Sequence, residues 1–301
     1  MTLWCYIGDP AGWGRALYKQ AIEDGISARL FSEYSREMRP DDYAFFRIPQ
    51  WESECSAAKK LATSLHNHGL ILIPDHFTCL SYEDKLKQAQ AYSSWMPSTA
   101  LFARNCHPAG ANQWSADVGF PFVSKSKEGS GSVNVRLVKT VEEMEREWDA
   151  TMHGDGINIR VNAGHTGKQR EYLIWQQFMP GNVCDYRVCI NGKHLLMLQR
   201  DNAHGSPFAS GSGRNRPVNE PTNHQTAALL KAQEFFDTYN LKWGGIDLVY
   251  DHDLQEWVLL EMTLGWSLKP YENCVYFGTG AWRGKDIWKV LVHGIKNGVF
   301  K

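Results

Sequence analysis

Over the first 75 residues, short apolar runs alternate with longer stretches of helical spacing. "LWCYIGD", "ISARLFSE", "DYAFFRIP" and "LILIPD" read as strands. "GWGRALYKQAIEDG" and "SECSAAKKLATSLHNHG", which lie between them, read as helices. Alternating β and α units at this spacing predict an α/β fold with a parallel sheet. "SYEDKLKQAQAYSSW" predicts one further helix, leading into "MPSTALFAR". The glycines of "GDPAGWG" are read as turn residues, because the GxGxxG order is absent.

From residue 120 onward the period changes. "FPFVSKSKEGSGSVNVRLVKTVEEMEREW" reads as strand, glycine- and serine-rich turn, strand and helix, and "REYLIWQQFM" as a strand. "DYRVCINGKHLLMLQR" predicts a hairpin around Asn191-Gly192. Residues 201–220, "DNAHGSPFASGSGRNRPVNE", form a long polar run, and its part 201–216 is read as lacking apolar anchors. It is expected to be a mobile loop. A helix over "NHQTAALLKAQEFFDTYN" precedes "GGIDLVYDHDLQEWVLLEMT", two apolar strands joined by a polar turn. Each strand carries one acid, Asp247 and Glu261. If Asp251 pairs with Trp257, the two acids oppose each other on one face, with Cβ atoms roughly 5 Å apart. Slipping the register by one residue separates them. They are either solvated residues of an exposed face or a pair of cation ligands.

Composition narrows the function classes. The 301 residues carry a net charge of −1, so bulk electrostatics does not point to nucleic acid. No apolar run approaches the roughly 18 residues that span a bilayer, and the N-terminus lacks a signal-peptide pattern. The seven cysteines form no CxxC pair, which fits reduced thiols and a cytoplasmic protein.

Three further stretches hold candidate chemistry. In "VSKSKEGSGSVNV" the glycines could let backbone N–H groups cradle an anion beside Lys125, or could form a plain hairpin turn. "GHTGKQ" is not a Walker A motif, having the wrong spacing and no Ser/Thr after Lys168. "WQQFMPGNVCDYRV" runs from an apolar strand into Asp185 and Arg187. Arg200 closes the next hairpin, and Arg214 and Arg216 sit in the polar run. Guanidinium groups pair bidentately with phosphate or carboxylate, although surface arginines are commonly only solvated.

The order of these features along the chain resembles the ATP-grasp superfamily, and most of all its RimK-like and D-alanine–D-alanine-ligase-like carboxylate–amine ligases. The resemblance spans nearly the whole chain and is strongest over 121–138, 175–200 and 243–263. It implies a Rossmann-like N-terminal lobe (1–90), a small α+β lid lobe with the glycine-rich loop (91–177) and a C-terminal α+β lobe with the Mg²⁺ site (178–301). It further implies that Lys85 and Lys125 reach nucleotide phosphates under a loop of Gly129, Ser130, Gly131 and Ser132. By the same likeness Gln176, Gln177, Phe178 and Met179 hold adenine, and Asp185 lies near the ribose. Arg187 and Arg200 face the phosphates and the reacting carboxylate, and Asp247 and Glu261 bind Mg²⁺. Thr263 stands where the family has Asn, as a weaker third oxygen. Arg216 is expected to act catalytically from a closing loop over 201–216.

The function so implied is ATP-dependent amide formation through an acylphosphate. An ATP-grasp-type kinase and a non-catalytic ATP-binding protein are the alternatives. The partners expected are a small-molecule carboxylate and an amine, among them an amino acid, a peptide end or a modified nucleotide. A homodimer is left open, and the 264–282 segment is left unread.

Overall fold

The computed structural model describes residues 1–49, 52–127, 132, 134–162, 165–278 and 282–301, with only the backbone of 52, 53, 161, 162 and 165. The first 75 residues build a four-stranded parallel sheet, as the alternation predicts. Its strands are β1 (Leu3–Tyr6), β2 (Ala28–Phe31), β3 (Tyr43–Phe45) and β4 (Ile71–Ile73), in the order β2-β1-β3-β4. Helix α1 (Trp13–Glu23) follows β1 and α2 (Glu52–Asn67) follows β3. Gly14 is required where α1 starts, because a Cβ there would lie 1.9 Å from the Tyr6 carbonyl oxygen.

The helix expected over residues 81–95 is shorter, and a separate helix precedes it. Helix α3 (His76–Ser81) ends before Tyr82, and α4 (Lys85–Ala91) starts afresh with Asp84 as its N-cap, accepting from the Lys87 N–H. The restart turns α4 toward the far end of the chain. Gln88 donates to the Met262 carbonyl at 3.0 Å and accepts from the Met262 N–H at 2.9 Å, both buried. This reciprocal pair fixes Lys85 beside the strand that carries Glu261.

A second sheet has the order β5-β10-β6-β7, from β5 (Thr99–Ala103), β6 (Phe122–Lys125), β7 (Val135–Val138) and β10 (Tyr172–Gln177). One face packs Phe102, Phe122 and Trp175 against α5 (Pro108–Val118) and α6 (Val141–Met152). The alternate residues Val123, Lys125 and Gln176 therefore turn the other way. Helix α5 and the hairpin β8 (Ile157–Asn162)–β9 (His165–Gln169) were not foreseen in the sequence.

The third sheet, β13-β12-β11-β14-β15, comprises β11 (Cys184–Asn191), β12 (His194–Asp201), β13 (Asn215–Pro217), β14 (Trp243–Asp251) and β15 (Glu256–Thr263). Tyr186, Val188 and Ile190 pack against α7 (Asn223–Thr238), whose first turn is closed by a Thr222–Gln225 capping box. The other face joins the first sheet through aromatic packing: Trp13 meets Trp243, Trp266 and Trp288 at 5.4–6.1 Å. The last helix, α8 (Ile287–Lys296), buries Val290, Leu291 and Ile295 in that same core, against α1. None of the described helices is long and apolar enough to cross a membrane.

Replacing Gln88 by Ala leaves the buried N–H and C=O of Met262 without partners, at about 1–3 kcal/mol each. Urea unfolding of Gln88→Ala is expected to show a loss of about 2–6 kcal/mol on that basis.

Candidate active site

The two acids of the third sheet do face each other, by a different route from the one expected. At the turn Asp251 pairs with Glu256, one residue off the assumed register, and Leu248 pairs with Leu259. A bulge then inserts Leu260, after which Asp247 pairs with Glu261 and Ile246 with Met262. A bulge bends the strand and re-aims the side chains beyond it. Without it, Glu261 would follow Leu259 onto the apolar α7 side. Leu260 also offers its carbonyl to Lys125 Nζ at 3.3 Å.

Register places the remaining charges on the same face. Asp185 lies opposite Arg200 and Arg187 opposite Asp247. Arg187 binds Asp247 bidentately, Nε to Oδ1 at 2.5 Å and Nη2 to Oδ2 at 2.7 Å. Arg200 binds Asp185 in the same way at 2.6 and 2.7 Å, and its Nη2 also lies 2.6 Å from Asp247 Oδ2. Lys85 Nζ sits 3.2 Å from Glu261 Oε1. From the second sheet, Lys125 Nζ donates to Gln176 Oε1 at 2.6 Å, and Gln176 Nε2 donates to Thr99 Oγ1 at 3.0 Å.

Burial and neighbours set the charge states. Burial disfavours the Asp247 carboxylate, but Arg187 and Arg200 outweigh it and hold the pKa down at about 2. Burial pushes Asp185 up to about 6 against the pull of Arg200. Burial likewise lowers Lys125 to about 8, with Glu261 opposing that fall.

These groups surround one cavity of about 100 Å³ between the second and third sheets. Val123, Val135, Met179, Val249 and Leu260 give it an apolar end, next to Gln177 and Phe178. Beyond β10 the Phe178 N–H and C=O make no hydrogen bond among the described residues. Asn182 ties this exit to β14 by donating to the Tyr250 carbonyl and accepting from its N–H. Pro207, Phe208, Ala209 and Ser210 close one side.

The fold now has counterparts. No protein-family model matches the sequence, and no curated protein matches it. Solved structures do, over nearly their whole lengths. A RimK-domain ATP-grasp protein from Sphaerobacter thermophilus superimposes with a TM-score of 0.61, at 16% identity, covering 98% of this chain and 99% of that one. D-alanine–D-alanine ligase from Bacillus anthracis gives 0.64 at 9% identity, covering 99% and 98%. A RiPP-associated ATP-grasp ligase from Chryseobacterium gregarium, solved with ADP and a leader and core peptide, gives 0.64 at 11%, covering 99% and 97%. The chain has the ATP-grasp fold.

Within this ATP-grasp fold, Lys85, Lys125, Ser132, Gln176, Gln177, Phe178, Met179, Asp185, Asp247 and Glu261 line the one cavity. Arg187 and Arg200 join it through their pairs with Asp247. Gly129, Ser130 and Gly131 lie outside the described residues. Three of the residues singled out have other partners in this structure. Asp185 spends both oxygens on Arg200. The Thr263 hydroxyl donates to the Gly265 carbonyl at 2.9 Å, and Thr263 is not among the lining residues. Arg216 does not come to the cavity: it pairs with Gln199 in register, one residue from Arg200 and so on the α7 side of the sheet. There it is exposed, 2.7 Å from Asp201.

The polar run is also better anchored than expected. Its end is β13, the Asp201 N–H donates to the Arg214 carbonyl, and Ala209 is buried. Phe208, its lone aromatic, was the available signal that this run meets the cavity. The apolar wall was illegible, because Val123, Val249 and Leu260 read as ordinary core positions.

Lys125 couples the site to stability. The unfolded chain keeps the lysine proton up to the ordinary value of 10.5, and the folded chain only up to about 8. Below pH 8 both states are protonated and the folded state bears the full burial penalty. Between 8 and 10.5 the unfolded state binds more protons, so stability rises with pH. Denaturant titrations should show this rise in the wild type and its absence in Lys125→Met, which is expected to be the more stable protein below pH 8.

Proposed function

We propose that the protein is an ATP-dependent carboxylate–amine ligase, forming an amide through an acylphosphate with release of ADP and phosphate. One observation carries this reading. Two acids, two arginines and two lysines from five separate strands and a helix converge at one end of a cavity whose other end is apolar and framed by a strand exit. A nucleotide has the same polarity, with a flat base at one end and a polyanion at the other. In this reading the base lies against Val123, Met179, Val249 and Leu260. The N–H and C=O groups at Phe178 are the natural partners for its edge. The lysines and the segment around Ser132 take the phosphates.

The acids suit Mg²⁺. Among the described residues no three His, Cys, Asp or Glu side chains gather to complete a metal site. Mg²⁺ does not need them, since it is commonly held by one or two carboxylates together with substrate phosphates and water. Asp247 and Glu261 would hold it, and when bound it would offset the charge of the phosphates.

The substrate carboxylate attacks the γ-phosphorus, the bond to the β-bridging oxygen breaks, and ADP leaves. The neutral amine then attacks the acyl carbon, loses a proton and expels phosphate. No protein nucleophile is needed; positioning and charge stabilisation carry the phosphoryl transfer. A carboxylate substrate, as opposed to a hydroxyl, is favoured by Arg187, whose Nε/Nη2 fork already grips a carboxylate bidentately. Water must be kept from the acylphosphate. The 202–214 loop, which brings Phe208 to the cavity, is the segment placed to exclude it.

The test is ADP release screened over a panel of amino acids and amines, with hydroxylamine added to trap the acylphosphate as a hydroxamate. The ligase predicts release that depends on both a carboxylate and an amine. A kinase releases ADP without amine dependence, and a non-catalytic binder releases none. Glu261→Gln should lower turnover at least about 100-fold with the fold intact, by removal of a transition-state charge partner. Asp247→Asn should also lose turnover, and in addition about 3–5 kcal/mol of stability, because Arg187 and Arg200 lose a buried partner.

A further inference from the structure

In this structure six charged groups of the site are paired with one another, while Lys125 is hydrogen-bonded to Gln176 and the Leu260 carbonyl. Asp185, Arg200 and Asp247, all buried, form a quartet with the partly buried Arg187, two charges of each sign, and Lys85 sits on Glu261. The cavity left between them, about 100 Å³, is below the roughly 300 Å³ at which small-molecule sites begin. A cation bound by Asp247 or Glu261 must displace the guanidinium or ammonium group already on it.

The two arginines are not equivalent. Arg200 is gripped at both ends, by both oxygens of Asp185 and by Asp247. Among the described residues Arg187 is ion-paired with Asp247 alone. A divalent cation placed on Asp247 would repel both guanidinium groups. Arg200 could yield that contact and keep Asp185. Arg187 would lose its carboxylate while largely buried, a cost that only another anion can offset.

Resting on the reading of Asp247 and Glu261 as the metal pair, we propose that Arg187 guards Asp247 against free metal. It leaves only when a phosphate or substrate carboxylate takes its place. Asp185 is the positioning residue that keeps Arg200 from following. Free divalent metal is then excluded from the resting site, and metal and anionic ligand enter together.

This differs from a merely structural role for Arg187 in the sign of one effect. Deleting a structural arginine beside a metal site disorders the site and weakens metal binding. Deleting a guard exposes Asp247 and strengthens it. The measurement is binding of Mn²⁺ alone, without nucleotide, read from the electron paramagnetic resonance of free Mn²⁺, with folding checked by circular dichroism. Arg187→Gln is expected to bind Mn²⁺ at least about tenfold more tightly than the wild type, since a cation beside a carboxylate competes directly with the metal. Arg187→Met keeps the buried stem and serves if Gln does not fold. Adding Glu261→Gln to the folding variant should remove the gain, placing the metal at this pair. Adding Asp185→Asn should also reduce it, because Arg200 is then left wholly to Asp247. Mn²⁺ affinity that is unchanged or weaker in the folded Arg187 variant overturns the guard, as does a gain that survives Glu261→Gln. Calorimetry of ATP with Mn²⁺ on the wild type separates the two levels. If ATP does not bind, the functional reading fails; if ATP binds and the Arg187 variant gains nothing, only the guard fails.

Discussion

A carboxylate buried as deeply as Asp247 is stable only if its charge is met, and the way it is met organises this molecule. Isolated in a low-dielectric interior, an ionised carboxylate costs several kcal/mol and would instead take up a proton. Here two guanidinium groups hold it ionised. For them to reach it, β11, β12 and β14 must be adjacent and in one register, since Arg187 faces Asp247 and Asp185 faces Arg200 directly across strand pairs. The charged part of that face then cannot pack against a helix, and α8 covers only its apolar end near Asn191. Helix α7 takes the opposite face, where Tyr186, Val188 and Ile190 alternate with the charged positions of the same strand. The tryptophan seam around Trp243 covers the apolar remainder of the charged face near the Gly192-Lys193 turn.

Much of this was legible because strand periodicity is a strong signal. The D-x-R spacing of Asp185 and Arg187 already places both on one face, but the hairpin expected around Asn191-Gly192 turns at Gly192-Lys193, and that shift is what sets Arg200 opposite Asp185. The opposition of Asp247 and Glu261 was anticipated from a register that is wrong at the turn, and the bulge at Leu260 restores it. Nothing local in "WVLLEM" announces a bulge. The apolar pattern accepts either register, and what selects one is the charge of Glu261, which the α7 core would not tolerate. Burial cost, acting at long range, settles what local propensity leaves open.

Other features depend on contacts distant in sequence. Helix α4 reads as part of a longer helix because "SYEDKLKQAQAYSSW" has the composition for one. The break before it follows from Gln88 meeting Met262, 174 residues away. The face of Arg216 follows from β13, a three-residue strand too short to show a period. Helix α8 was left unassigned although its apolar residues fall at helical spacing. Its partner α1 lies at the opposite end of the chain, so neither helix alone reveals that the C-terminus completes the first core.

The same buried charges separate stability from function. Lys125 is held where its protonated form is disfavoured, and its ammonium leans on Gln176 and a bulge carbonyl, with no carboxylate among its hydrogen-bond partners in the described residues. A methionine there would pack without that penalty. Retaining a cation at such a site makes physical sense if an anion arrives to meet it, and the arginine pairs point the same way. Buried ion pairs are weak devices for stability, because apolar residues of similar volume often do as well or better. They are strong devices for exchange, since each partner can transfer to a ligand of matching charge and geometry. A site whose acids and arginines are paired when empty, with a cation left over at Lys125, can be paired again by a ligand of net negative charge.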